Sequence, residues 1–147
     1  MSDHDERWVL DHLIALCRDE EQTLRFAASH VGDEKVRAIL GELANQRAQA
    51  ANDLLPHARR LGGGSAEVSE GTWQGAMHRR WVSMKDSLLG HSDGAMLSEA
   101  VRGEQQTVKT FEDALGGMLP PTVRDLVEAQ YVQAQAGRDR VRAMMTI

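Results

Sequence analysis

The chain has 147 residues, the size of one compact domain, because a single hydrophobic core typically serves about 100–200 residues. An apolar fraction of 41% excludes a disordered chain, and with 4% aromatics and three prolines the apolar mass is Leu, Ala, Val and Met, which favours helix over strand. Seventeen basic residues against 22 acidic ones leave a formal charge of −5, so nucleic acid is not an expected partner, since phosphate contacts need a basic face.

No run approaches the ~18 consecutive apolar residues of a membrane span. The start, Met1-Ser2-Asp3-His4-Asp5-Glu6, lacks the basic-then-apolar run of a secretory signal, and the lone Cys17 has no internal disulfide partner. A cytoplasmic protein without integral membrane association is expected.

In chain order, Asp3 followed three residues later by Glu6 has the form of a capping box. Leu10, Ile14, Cys17, Glu21, Leu24 and Ala28 then recur at three- and four-residue steps, predicting a first helix from about Asp5 to His30. Gly32 stops it and Asp33 is placed to cap a second. That helix carries Val36, Ile39, Leu43, Gln46, Ala50, Leu54 and Leu61, is continuous from Arg37 to Gly62, and ends at Gly62-Gly63-Gly64-Ser65. The short connection makes the two helices an antiparallel hairpin.

Gly62 to Gly71 reads as a flexible hinge. Beyond it Trp73, Met77, Trp81 and Met84 form a stripe on a shorter helix that ends near Gly90. Ser92 or Asp93 can cap a third long helix marked by Leu97, Val101, Glu104, Val108, Phe111 and Leu115, closed by Gly116-Gly117. Pro120-Pro121 suits the first turn of a fourth, with Val123, Val127, Gln130, Ala134, Val141 and Met144. The expected fold is all-α: two antiparallel hairpins joined by a crossover that contains the shorter helix, with the third long helix running parallel to the second.

Each long helix carries a polar residue inside its stripe near mid-length: Glu21, then Gln46 or Arg47, then Glu104, then Gln130 beside Glu128. A carboxylate taken into a core costs several kcal/mol unless it is paired. One reading is a carboxylate metal site in which Glu21 and Glu104 are lone glutamate ligands. The other is a hydrogen-bonded network in which Arg47 and the amides neutralise the glutamates. Carboxylate-bridged di-metal bundles take a lone Glu from each of two helices and a Glu-x-x-His from each of the others. Here Glu42 is followed at the third position by Asn45, Gln46 by Gln49 and Glu128 by Tyr131, and no histidine stands three residues after a glutamate.

The run LGELANQRAQAANDLLPHARRLGG from Leu40 to Gly63, with GAMHRRWVSMKDSLLG, VRGEQQTVKTFEDAL and LPPTVRDLVEAQY, resembles a bacterial family of ferritin-like four-helix-bundle proteins of unknown function. The resemblance covers nearly the whole chain. It implies a rubrerythrin-like bundle in which the helix from Met77 to Lys85 is the crossover element. Glu21, Glu104 and Glu128 match glutamate ligand positions of the wider group. Gln46, Gln49 and Tyr131 stand where a Glu-x-x-His and a second histidine would be, and Arg138 stands where relatives commonly carry histidine.

The sequence reading is therefore a non-catalytic ferritin-like bundle, a binding or interaction protein without cofactor, whose polar core layer holds Gln46, Arg47, Gln49, Gln130 and Tyr131. The alternative is an iron-handling carboxylate protein. A homodimer is expected, because Val82 and Leu89 flank the Trp-Met stripe and would leave apolar surface uncovered. The Trp73–Met84 helix is also a candidate dock for a protein partner.

Overall fold

In a computed structural model, the structure describes residues 3–63, 92–117 and 119–145. Four helices account for almost all of them: α1 (Asp3–His30), α2 (Glu34–Arg60), α3 (Asp93–Leu115) and α4 (Pro121–Met144). The described residues contain no strand. The shorter helix expected between residues 65 and 91, with its Trp73, Met77, Trp81 and Met84 stripe, lies outside the described residues, as do Val82 and Leu89.

Helix ends follow local chemistry. Asp33 caps α2, its Oδ1 accepting from the backbone N–H of Lys35 at 2.8 Å and of Val36 at 3.1 Å. At the other end Gly62 has a φ of +85°, which an L side chain resists. That left-handed step lets Gly63 N donate to Ala58 O and Gly62 N to Arg59 O, satisfying the last carbonyls of α2. The helix therefore starts three residues before the expected Arg37 and closes at Arg60. Ser92 caps α3 through Ala95 N, and Pro121 opens α4 at a position whose N–H would have no helical partner anyway.

Side-chain bonds fix the directions of the helices. Asp93, the first residue of α3, accepts from Gly32 N at 3.1 Å and Asp33 N at 3.4 Å, which sets the start of α3 beside the α1–α2 turn. On the α2–α4 side, Gln130 reaches Ala50 and Arg140 reaches Glu42, so α4 runs against α2. Both α2 and α3 start at one end, and they are parallel. Around the bundle the adjacent pairs are α1/α2, α1/α3, α2/α4 and α3/α4, which leaves α2 and α3 facing each other across the diagonal. Gly63, at the end of α2, lies against Arg7 and Asp11 near the start of α1. Residues 64–91 thus join opposite ends of a bundle about 40 Å long, at 1.5 Å per helical residue.

The apolar interior is in two parts. One joins Leu10, Leu13, Ile14 and Cys17 to Leu54, Phe111, Val123 and Val127. The other joins Leu24, Phe26 and Val31 to Leu40, Leu43, Met96, Leu97 and Val141. Between them lie buried Glu20, Arg47, Glu104, Thr107 and Gln130. Because Asp33 satisfies two orphan donors at an exposed helix start, Asp33→Ala should lower unfolding free energy by about 1 kcal/mol. Chemical denaturation checks this, with a drop in midpoint and no change in slope as the expected result.

Candidate functional site

The centre of the polar layer is one ion pair. Arg47 on α2 and Glu104 on α3 are both 0% exposed. Arg47 Nη2 donates to Glu104 Oε2 at 3.1 Å and Nε donates to Oε1 at 3.4 Å. Two parallel N–H groups meeting two carboxylate oxygens is the geometry that a planar guanidinium offers and an ammonium does not. Since α2 and α3 are not neighbours around the bundle, the pair crosses its middle. Burial pushes the Glu104 carboxyl above its ordinary value, with the Arg47 charge and hydrogen bond pulling the other way.

Two glycines make room for these side chains. A Cβ on Gly137 of α4 would come 3.0 Å from Arg47 Nη2, 3.1 Å from Leu43 Cδ2 and 3.6 Å from Glu104 Oε2. A Cβ on Gly103 of α3 would overlap the carboxylate of Glu20, 2.8 Å from its Cδ. Glu20 is buried on α1, so its carboxylate occupies the space that Gly103 leaves open. The Thr107 hydroxyl donates to Gly103 O at 2.9 Å, one turn back on the same helix. Gln130 donates to Ala50 O at 3.2 Å, and its Oε1, like that of Gln46, is buried with no hydrogen-bond partner among the described residues.

Cys17 senses the whole cluster. Burial raises its thiol pKa from 9.0 to about 12; Arg47 pulls it down, and Glu104 and Glu20 push it up again. At neutral pH it is a thiol, packed as a small apolar group, and not a nucleophile.

The residues expected in this layer divide. Arg47, Glu104 and Gln130 are in it. Glu21 is not: its carboxylate takes an ion pair with Arg25 one turn on, at 2.7 Å, near the surface, and Glu20 supplies the buried carboxylate of α1. The stripe of α1 is centred one residue earlier than the periodicity indicated, because Leu13, Leu16, Glu20, Thr23 and Ala27 are buried beside Leu10, Cys17 and Leu24. Glu128 is exposed, one residue past the buried Val127 and so about 100° around the helix. Gln49 is exposed and donates to Asp53 at 2.7 Å. Tyr131 is half-buried, its hydroxyl donating to Glu112 at 3.3 Å and accepting from Gln135 at 3.1 Å. Gln46 is half-buried at the layer's edge. Arg138 is half-buried too and donates to Asp139 and Gln105.

These residues do not suit a carboxylate di-metal centre. Glu21, Glu104 and Glu128 are not brought together, and no group of three or more His, Cys, Asp or Glu among the described residues could hold a metal ion. Histidine is absent from the described layer: His12 stacks on Trp8, His30 ends α1, and His57 contacts Arg60 near the end of α2. The one carboxylate at the centre already has a fixed cation on it, and a second positive charge there would be repelled. His57, where the helix dipole favours an imidazolium, instead has its pKa lowered by burial and by Arg60.

A family described as a domain of unknown function, DUF2383, matches residues 6–117, most of the chain. The chain belongs to the DUF2383 family. The DUF2383 match contains Glu20, Arg47, Gly103 and Glu104 and ends just after α3, so α4, with Gln130 and Gly137, lies beyond it. No curated protein matches the chain. No helix among the described residues is long and apolar enough to cross a membrane.

Two outcomes follow from the buried pair and the thiol. Arg47→Leu or Glu104→Leu alone strands an opposite charge and should cost about 3–5 kcal/mol, whereas Arg47→Met combined with Glu104→Leu should recover most of that loss. Urea denaturation of the three variants measures it as a double-mutant cycle. A thiol pKa raised on folding contributes stability that is complete below pH 9.0 and is lost as pH rises toward about 12. The wild type should therefore lose more stability than Cys17→Ala across that alkaline window, read from denaturation midpoints.

Proposed function

We propose that this DUF2383 protein is a non-catalytic, ferritin-like helical bundle that serves in the cytoplasm as a binding or interaction protein and associates with itself. The observation that carries the reading is the Arg47–Glu104 pair at the position along the bundle where a ferritin-like protein would place its metal ligands, both side chains fully buried. A guanidinium fixed on the central carboxylate supplies the positive charge that metals supply in an oxidative centre. It offers no open coordination position and no redox chemistry. The parallel α2 and α3, and the crossover that this direction requires, support the ferritin-like assignment.

Self-association draws support from the surface. Trp8 is 59% exposed on α1 and borders a cleft of about 130 Å³ lined by Val9, His12, Leu13, Thr110, Asp113 and Ala114. An exposed tryptophan beside an apolar cleft is the kind of feature enriched at protein interfaces.

Metal analysis and oxygen uptake test the non-catalytic reading against the iron-handling one. Protein purified from iron-supplemented cells should contain far less than one equivalent of iron and consume no oxygen on ferrous addition. About two equivalents with oxygen consumption, the stoichiometry of a di-iron centre, would overturn it. Sedimentation equilibrium tests association: the expected mass is that of two chains, falling to one in Trp8→Asp. A single-chain mass for the wild type would contradict self-association.

A further inference from the structure

We infer that Arg47 fills an internal cation cradle whose shape and solvation select a planar guanidinium over a metal ion, and that the cradle binds free guanidinium once the Arg47 side chain is removed. The inference rests on the reading of the layer as closed to metal and adds what the layer accepts instead. Glu104 presents both carboxylate oxygens to one edge of the guanidinium. Gly137, lacking a Cβ, leaves room for Nη2, which a Cβ there would approach to 3.0 Å, close enough that one of the two must shift. Leu43 Cδ2 borders the same space with an apolar atom.

Solvation decides the selectivity. A small divalent ion holds its water shell strongly and needs several oxygen ligands in place of it. The cradle bonds its cation through the two oxygens of a single carboxylate, and no group of three or more His, Cys, Asp or Glu that could hold a metal ion is found among the described residues. A guanidinium is weakly hydrated and delocalised, and its flat faces tolerate apolar neighbours while its edge is satisfied by one carboxylate. The negative charges of Glu104 and Glu20, both of which act on the Cys17 thiol, favour a cation at this level of the bundle, and its surroundings favour this one.

The test is chemical rescue of Arg47→Ala, followed by its thermal midpoint. A ligand that binds only the folded state raises the midpoint with its concentration. Millimolar guanidinium chloride, far below denaturing levels, should return more than half of the midpoint lost by the variant, in a saturable manner. It should leave the wild type unchanged, and fail in Arg47→Ala combined with Glu104→Gln. Equal rescue by sodium chloride, persistence of rescue in the double variant, or a larger rescue by manganese chloride than by guanidinium would overturn the inference. If Arg47→Ala does not fold, Gly137→Ala keeps the question open to measurement. Its midpoint loss should shrink when Arg47 is changed to Met, because the 3.0 Å approach to Nη2 is gone while the 3.1 Å approach to Leu43 Cδ2 remains; an equal loss in both backgrounds would overturn the cradle. Iron uptake by the wild type would defeat the preceding functional reading and is read in a different experiment.

Discussion

A charged side chain cannot enter a protein core alone, and the organisation of this bundle follows from how it meets that constraint at Arg47. Its long stem starts on α2 and its guanidinium ends on Glu104 of α3, across the diagonal of the bundle. The Coulombic gain offsets desolvation only when geometry is good and competing water is excluded. The geometry is fixed because α2 and α3 are held parallel and in register, and the water is excluded by an apolar cluster on each side. The pair therefore depends on the packing of all four helices. In return it penalises any arrangement that slides or rotates one helix, since a shift of one residue would turn Arg47 or Glu104 about 100° away from the centre.

The termini of the helices serve the same register. Asp93 holds the start of α3 on the α1–α2 turn through backbone donors of Gly32 and Asp33, and Arg124 on α4 donates to the Leu115 and Gly117 carbonyls that end α3. One contact fixes the height of α3 relative to the first hairpin, the other ties α4 to α3. With both ends set, Glu104 meets Arg47 at mid-height, and Gly137 of α4 arrives where Nη2 needs space. Dividing the core into two apolar compartments has an energetic consequence too: neither half contains a continuous apolar seam the length of the bundle, so slippage by a turn would bring carboxylates against Leu and Phe.

Much of this was legible in the amino-acid order, and its failures have a common cause. Helical periodicity located four long helices and the polar interruption at mid-length, and it pointed to Gln46 or Arg47 on α2, Glu104 on α3 and Gln130 on α4. A single helical stripe through α1 passes through Glu21 and not Glu20, whereas α1 is buried over more than half of its circumference in its middle third. A run of burial that wide has no sharp centre, and adjacent glutamates differ by only 100°. Glu21 has a local signal against burial, Arg25 at i+4, which gives it a surface partner. Gly103 and Gly137 also carried a signal: a glycine inside a helical stripe lowers helix stability and calls for a packing reason. What they make room for, Glu20 and Arg47, depends on contacts between helices that no single stripe contains.

The most direct measurement of the central claim is the nitrogen-15 spectrum of the arginine side chains in the folded wild-type protein. A guanidinium buried between two apolar clusters and bonded on one edge to Glu104 should give a resolved Arg47 Nε–Hε resonance. That resonance should exchange slowly with water, stand apart from the resonances of exposed arginines such as Arg25, and move to the exposed position in Glu104→Gln. An Arg47 resonance that exchanges as fast as those of surface arginines, and does not respond to Glu104→Gln, would contradict the buried pair and the account built on it.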